Sequence, residues 1–345
     1  MRMKKLERLA AALPKAELHV HLEGTLEPEM TFHLARKHKT KLRFPNAEAL
    51  RQAYQFKDLQ SFLDLYYEGA GVLRDREDFH VLTTAYLEKA VRDGIWHVEP
   101  FFDPQTHTAR GVAMKEVVEG IVRALKEGEK RHGVTWRLIP CFLRHLTEAE
   151  AMKTFEEMLP FREHFTAVGL DSSEKGNPPA KFERVFAQVR DTGLKVVAHA
   201  GEEGPAEWIR EALERLQAVR IDHGVLCVED AELVKELVEK QIPLTTCPLS
   251  NVRLCVYSDL GKHPLKQLLE AGVSVTANSD DPPYFGGYLL ENWLACAREL
   301  QLEERHLVQL AKNSFTGSFL SEKEKAQWIT KIDRVVSSLG GGSSS

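Results

Sequence analysis

The feature that most constrains this chain is a series of eight short apolar runs, separated by charged segments of helical period. The runs are AELHVHLEG (16–24), GIWHVEPFFDP (94–104), WRLIPCFLR (136–144), AVGLDSSE (167–174), LKVVAHAGE (194–202), VRIDHGV (219–225), IPLTTCPLSN (242–251) and VSVTANSDDP (273–282). They are rich in Val, Ile, Leu and Thr without strict polar alternation, the pattern of strands buried on both faces of a parallel sheet. Between them lie segments such as EWIREALERLQ (207–217) and DAELVKELVEKQ (230–241). Gly94, Gly193 and Gly272 each stand where a helical stretch ends and the next run begins. This alternation predicts an α/β fold, a single (β/α)8 TIM barrel over 1–339, in preference to a doubly wound open sheet. The segment between Pro28 and Asp93 is helical in pattern. It is expected as an insertion after strand 1 that caps the C-terminal face. Residues 340–345 read as a disordered Gly/Ser tail.

Composition narrows the partners. A net charge of -5 gives no general attraction to phosphate backbones, so nucleic acid is not an expected partner. No stretch reaches the length of a membrane span, and the N-terminal MRMKKLERLAAALPKAE lacks a secretory apolar core. Five cysteines with no C-x-x-C pair point to free thiols in a reducing compartment, hence the cytoplasm. No protein partner is inferred.

Ionisable residues gather at the C-terminal ends of the runs, the rim where barrel enzymes carry their active sites. His19-Val20-His21 places two imidazoles on one face of a strand, because side chains alternate with period two. Alone, such a pair is more often packed core than a metal site. With His199 and an Asp at the last strand, the set becomes three nitrogens and one carboxylate oxygen. That set suits Zn²⁺ with a position left for water. Glu202 follows His199-Ala200-Gly201, and Gly201 permits the bend that carries it over the mouth. A lone Glu there would ordinarily be solvated; beside a metal it can shuttle protons. Asp222-His223-Gly224 ends the sixth run, and Asp280-Asp281 closes the eighth.

These pieces resemble the adenosine/adenine deaminase family of the amidohydrolase superfamily. The matching segments are PKAELHVHLEGTLEP (14–28), VVAHAGE (196–202), RIDHG (220–224), TTCPLSN (245–251) and NSDDP (278–282), in the family's order across nearly the whole chain. The resemblance implies a zinc barrel with one Zn²⁺ per chain, held by His19, His21, His199 and Asp280. It implies Glu202 as proton donor, His223 as the residue orienting the nucleophile, and Asp281 as a contact to the ring of a purine base. HLEGTLEPE (21–29), GLDSSEKGNPPAKF (169–182) and DDPPYFGGYLLEN (280–292) look closer to adenine deaminases than to adenosine deaminases. Adenosine deaminases carry Asp where this chain has Glu23. Glu23, Ser172, Ser173 and the segment near Phe285 are therefore the expected discriminators, with Glu23 intruding where a ribose 5′-hydroxymethyl group would lie, and Gly169 is expected as a further substrate contact.

The chemistry expected is hydrolysis at C6. Glu202, kept neutral in a dry pocket, protonates ring N1. His223 and Asp280 orient the nucleophile and take its proton. Adenosine or an N6-substituted adenine is the alternative substrate. A two-metal hydrolase bridged by a lysine on the fourth strand is disfavoured, because AVGLDSS contains no lysine and Lys175 lies beyond it. A barrel that has lost its chemistry would lack a ligand or Glu202, and here all are present. The cytidine-type zinc deaminases use H-x-E with P-C-x-x-C. Here Pro140-Cys141 is followed by Phe142, Leu143 and Arg144, so that class fails.

Overall fold

The computed structural model describes residues 2–340. Its strands are β1 (Lys15–Glu17), β2 (Ile95–Val98), β3 (Phe101–Phe102), β4 (Thr135–Trp136), β5 (Ile139–Leu143), β6 (Ala167–Asp171), β7 (Lys195–Ala200), β8 (Arg220–His223), β9 (Leu244–Thr246) and β10 (Val275–Ala277). One sheet runs β1-β2-β4 and the other β10-β9-β8-β7-β6-β5-β3, with every pairing parallel. The chain just after β1 joins them. Val20 bridges Asp280 and His21 bridges Phe101. The bonds are His21 N–H to Asp280 O (3.0 Å), Asp280 N–H to His19 O (3.1 Å) and Phe101 N–H to Val20 O (2.8 Å). The ring of staves is thereby closed, and the expected (β/α)8 barrel is what forms.

Two of the eight runs differ from expectation in being broken into two strands each. In the 94–104 run the break falls at Pro100, which has no N–H for the ladder. Glu99 N–H reaches Glu17 O (2.8 Å), and pairing resumes at Phe101. The next stave follows the same bend: Arg137 N–H bonds Val98 O (3.0 Å) and Ile139 N–H bonds Pro100 O (3.1 Å). The helices expected at 207–217 and 230–241 form as Ala206–Glu214 and Ala231–Lys240. Gly94, Gly193 and Gly272 adopt φ of 76°, 80° and 88°, the left-handed conformation that ends a helix cheaply only in glycine.

The insertion after the first stave holds helices Pro28–Lys37, Ala47–Gln52, Leu59–Ala70 and Arg76–Arg92. Asp58 starts Leu59–Ala70 with a capping box, its carboxylate accepting Ser61 N–H at 2.8 Å. Leu59, Phe62, Leu63 and Tyr66 of that helix pack with Leu50, Tyr54, Leu254, Tyr284 and Phe285 in an apolar cluster apart from the main core. Each large apolar side chain buried there contributes roughly 1.5–3 kcal/mol, which holds the helix down as a lid. Only part of the insertion caps the mouth, however. Arg76–Arg92 turns its buried face, including Phe79, Leu82 and Tyr86, into the main core and packs against Met114–His132 on the outer ring. The final helix, Glu322–Gly340, takes in Gly340; the rest of the expected tail, 341–345, lies outside the described residues. No described helix is long and apolar enough to cross a membrane.

Candidate active site

His19 and His21 keep the alternation their spacing implies, and the closure of the barrel brings them to His199 at the end of β7 and Asp280 after β10. One ligand atom from each of the four lies within 4.8 Å of the others. His21 Nε2 stands 3.3 Å from His199 Nε2 and 3.4 Å from Asp280 Oδ1. His19 Nε2 stands 3.2 Å from Asp280 Oδ1 and has no hydrogen-bond partner. Two nitrogens held at about 2.0–2.1 Å by a tetrahedral Zn²⁺ sit ~3.3 Å apart, so the donor set fits a zinc ion.

The other ring nitrogens point away toward acceptors. His19 Nδ1–H faces Thr245 O (3.2 Å) and Thr245 Oγ1 (3.0 Å), while the Thr245 hydroxyl donates to Asp222 Oδ1 (2.8 Å). His199 Nδ1 lies 3.6 Å from Asp222 Oδ2, and His21 Nδ1 lies 3.6 Å from Asp171 Oδ2. Each imidazole thus presents Nε2 inward with Nδ1 toward an oxygen, the outer-shell arrangement of metal-bound histidine. Burial lowers the pKa of His21 to about 4 and holds His199 well below the usual imidazole range, so both are neutral donors. A second grouping, His19, His223, Cys247 and Asp280, is equally close-set. Its members are otherwise engaged: the Cys247 thiol donates to Thr245 O (3.7 Å), and burial keeps it protonated.

Glu202 and His223 flank this cluster, with His223 Nε2 3.6 Å from Glu202 Oε2 and 3.9 Å from Asp280 Oδ2. Burial, and secondarily the Asp280 charge, holds the Glu202 carboxyl well above the usual carboxylate range. A hydrogen-bond relay assigns the His223 tautomer. Leu265 N–H donates to His263 Nδ1 (3.2 Å), so His263 Nε2–H donates to Asn251 Oδ1 (3.1 Å). Asn251 Nδ2 then donates to His223 Nδ1 (3.3 Å), which leaves the His223 proton on Nε2. Burial takes the His223 pKa down to about 3. His223 is therefore a neutral donor toward the site and not the proton acceptor expected from sequence. His223, Asp280 and Ser172 have φ of 62°, 64° and 73°. Three strained non-glycine residues on one cavity mark a functional site.

The cavity above is lined by these three together with His21, His199 and Glu202, the apolar Leu59, Phe62, Leu63 and Leu254, and the polar Tyr66, Tyr67, Asp103, Asp171 and Asp281. Asp281 lines the cavity. It approaches the chain after Glu23 so closely that a Cβ on Gly24 would lie 1.7 Å from its Oδ1. Ser172 also lines the cavity, with its Oγ 2.8 Å from both Tyr67 OH and His145 Nδ1.

Three residues expected at the substrate do not line this cavity. Glu23 turns away: its Oε1 accepts His107 Nε2–H (2.7 Å) and Asp103 N–H (3.0 Å). Burial alone would raise its pKa, but these bonds hold it below the usual range. Gly169 lies down in β6 beside Cys141, whose Sγ would be 2.4 Å from an added Cβ; the glycine serves barrel packing. Ser173 is half-buried off the cavity, its carbonyl accepting from Asn177 Nδ2 (3.1 Å).

Sequence reasoning also missed residues. Glu174 is buried, and its carboxylate accepts four backbone N–H groups, from Gly201 (2.8 Å), Glu202 (3.1 Å), Glu203 (2.9 Å) and Gly204 (2.7 Å). It therefore holds the turn that carries Glu202. Asp103 has a signal in hindsight: like Asp281, it closes an apolar run immediately before a proline.

The profile of the adenosine deaminase family matches residues 14–335. The chain is 56% identical over 323 residues to a protein of Sphingopyxis alaskensis named adenine deaminase, covering 94% of this chain and 95% of that one. It is 54% identical over 330 residues to an adenine deaminase of Trichlorobacter lovleyi, covering 95% of each. The crystal structure of an adenine deaminase from Arthrobacter aurescens superposes with a TM-score of 0.92 at 46% identity, over 94% of this chain and 99% of that one. With barrel, site and matches agreeing over almost its whole length, this chain belongs to the adenosine deaminase family.

Proposed function

We propose that the chain hydrolyses adenine to hypoxanthine and ammonia, with one Zn²⁺ per chain held by His19, His21, His199 and Asp280. The observation that carries the chemistry is the convergence of those four donors beside a buried, proton-bearing Glu202. The choice of adenine is supported by the relatives at 54–56% identity named adenine deaminase. A bound Zn²⁺ supplies Lewis acidity that brings the pKa of a water to about 7. Glu202 donates its proton to ring N1, which makes C6 electrophilic. His223 Nε2–H and the Asp280 carboxylate flank the oxygen that attacks C6. Asp280, held ionised by the imidazoles around it despite its burial, takes the proton that oxygen loses. That proton passes to the exocyclic nitrogen, the C6–N6 bond breaks, ammonia leaves, and the second proton of the attacking water returns to Glu202 and restores its acid form. Asp281 meets the ring at N7, and Leu59, Phe62, Leu63 and Leu254 cover its faces and exclude water.

The reading makes the partner a small purine base. The five free thiols fit a cytoplasmic enzyme. Purified protein, offered adenine and adenosine separately at equal low concentration and followed by ultraviolet absorbance, tests the reading. Conversion of adenine to hypoxanthine at a rate far above that for adenosine is expected. Equal rates or a preference for adenosine would overturn the substrate assignment, and no turnover of either would overturn the activity.

A further inference from the structure

Glu23 does not reach the cavity, so it cannot be the direct discriminator between base and nucleoside. The wall it supports is acidic. Asp103, 2% exposed, follows β3 on the second stave, across the mouth from His223 on the sixth. Its Oδ2 accepts the Tyr66 hydroxyl (3.0 Å), and its backbone N–H is tied to Glu23 Oε1 (3.0 Å). Glu23 is fixed in turn by His107, whose Nδ1 accepts Arg110 Nη2–H (2.9 Å). Asp103 is thus clamped from both ends. Its remaining oxygen, Oδ1, is buried, has no hydrogen-bond partner, and belongs to a residue that lines the cavity. Asp171 lines the cavity beside it, its pKa, raised by burial, letting it share a hydrogen bond with the Asp103 carboxyl, and carboxyl oxygens of both residues lie within 4.8 Å of a His21 ring nitrogen.

A purine with C6 at the four metal donors and N1 at Glu202 turns its far edge toward this wall. On a free base that edge carries an N–H at N9; on a nucleoside N9 is substituted. A carboxyl group keeps acceptor lone pairs whether or not it is protonated. Ser172 Oγ is already engaged by Tyr67 and His145. We propose that Asp103, aimed by Tyr66 and by Glu23, accepts the purine N9–H and is the residue that selects a free base over a nucleoside. This rests on the purine deaminase reading. A substituent on N9 meets the clamped Asp103–Tyr66 pair and leaves a buried acceptor unpaired, a combination that discriminates more strongly than a missing methylene.

The test compares kcat/KM for adenine and for 9-methyladenine in the metal-loaded full chain. Wild type is expected to prefer adenine by at least ~100-fold, and Asp103→Ala to lower adenine kcat/KM by ~30–100-fold while changing 9-methyladenine less than ~3-fold. Asp103→Asn, which keeps an acceptor oxygen, is expected to restore a preference of ~10-fold or more. Tyr66→Phe leaves Asp103 unaimed and is expected to erode the ratio by ~3–10-fold, which keeps the test open should Asp103→Ala fail to fold. A purely structural role would lower both substrates by the same factor, and that result, or an unchanged ratio in both variants, overturns the assignment. Adenine turnover by wild type is the internal control: its absence refutes the deaminase reading, whereas turnover with an unmoved ratio refutes only this one.

Discussion

Glu174→Gln isolates a residue whose sole visible task is to hold Glu202 in place. The carboxylate receives one N–H on Oε1 and three on Oε2, at 2.7–3.1 Å. Glutamine keeps the shape but offers one acceptor oxygen and an NH2 group that cannot accept. With its oxygen on the three-donor side, the Gly201 N–H is left buried without a partner, at a cost of ~1–3 kcal/mol. The other three bonds lose charge assistance, ~1 kcal/mol each before non-additivity. A total near ~3–5 kcal/mol follows. Unfolding entropy of about 2.1 cal/mol/K per residue over the 345-residue chain converts this to a Tm lowered by ~4–7 °C. The turn need shift by only about 1 Å for Glu202 to miss N1, which costs ~100-fold in rate. Calorimetry, metal analysis and steady-state kinetics on one preparation decide it. The expected variant keeps its metal, melts earlier and has kcat reduced ~100-fold. A kcat within threefold of wild type would refute the view that Glu174 positions the general acid.

Other outcomes follow from the same geometry. Glu202→Gln should retain fold and metal and lose ~10²–10⁴ in kcat, because glutamine has no proton to give; near-normal kcat would make Glu202 a bystander. Because Glu202 acts protonated and its pKa is raised, wild-type kcat should fall as pH rises through that pKa, and the slow residual rate of the variant should lack this limb. Removing the metal with a chelator should abolish turnover and Zn²⁺ should restore it, with about one ion per chain on reloading; full activity in metal-free protein sinks the donor assignment. His223→Ala should slow turnover yet keep the ion, and loss of zinc there would make His223 a ligand. At the base of the barrel, burial would raise the Glu99 pKa, but Arg220 and His97 hold it at about 2. A carboxylate depressed from its ordinary ~4.3 stabilises the fold above that pH, and ~3 kcal/mol is lost as pH falls toward 2. Arg220→Met should destabilise the protein by ~3–5 kcal/mol at pH 7 by stranding that charge, and urea unfolding that shows no loss would contradict it.

Sequence alone determined the barrel and the centre of the site. Parallel strands covered on both faces must be apolar throughout, so eight such runs with helical spacers leave few folds to choose from. Catalytic groups of a barrel sit where strands end, so the ends of those runs displayed His199, His223 and Asp280 directly. The period of two in His19-Val20-His21 is a local property of extended chain and survived folding intact. What sequence left open were directions set by partners far along the chain. Glu23 is drawn away from the cavity by His107, 84 residues on, a contact no local pattern encodes. Asp103, Asp171 and Glu174 resemble ordinary solvated acids at strand ends until the lid helix Leu59–Ala70 and the 201–204 turn bury them. The His223 tautomer depends on Asn251 and His263, which reach it only through tertiary packing. Strand periodicity is written in neighbouring residues; which carboxylate faces substrate is decided by which hydrogen-bond donors the closed barrel brings within 3 Å.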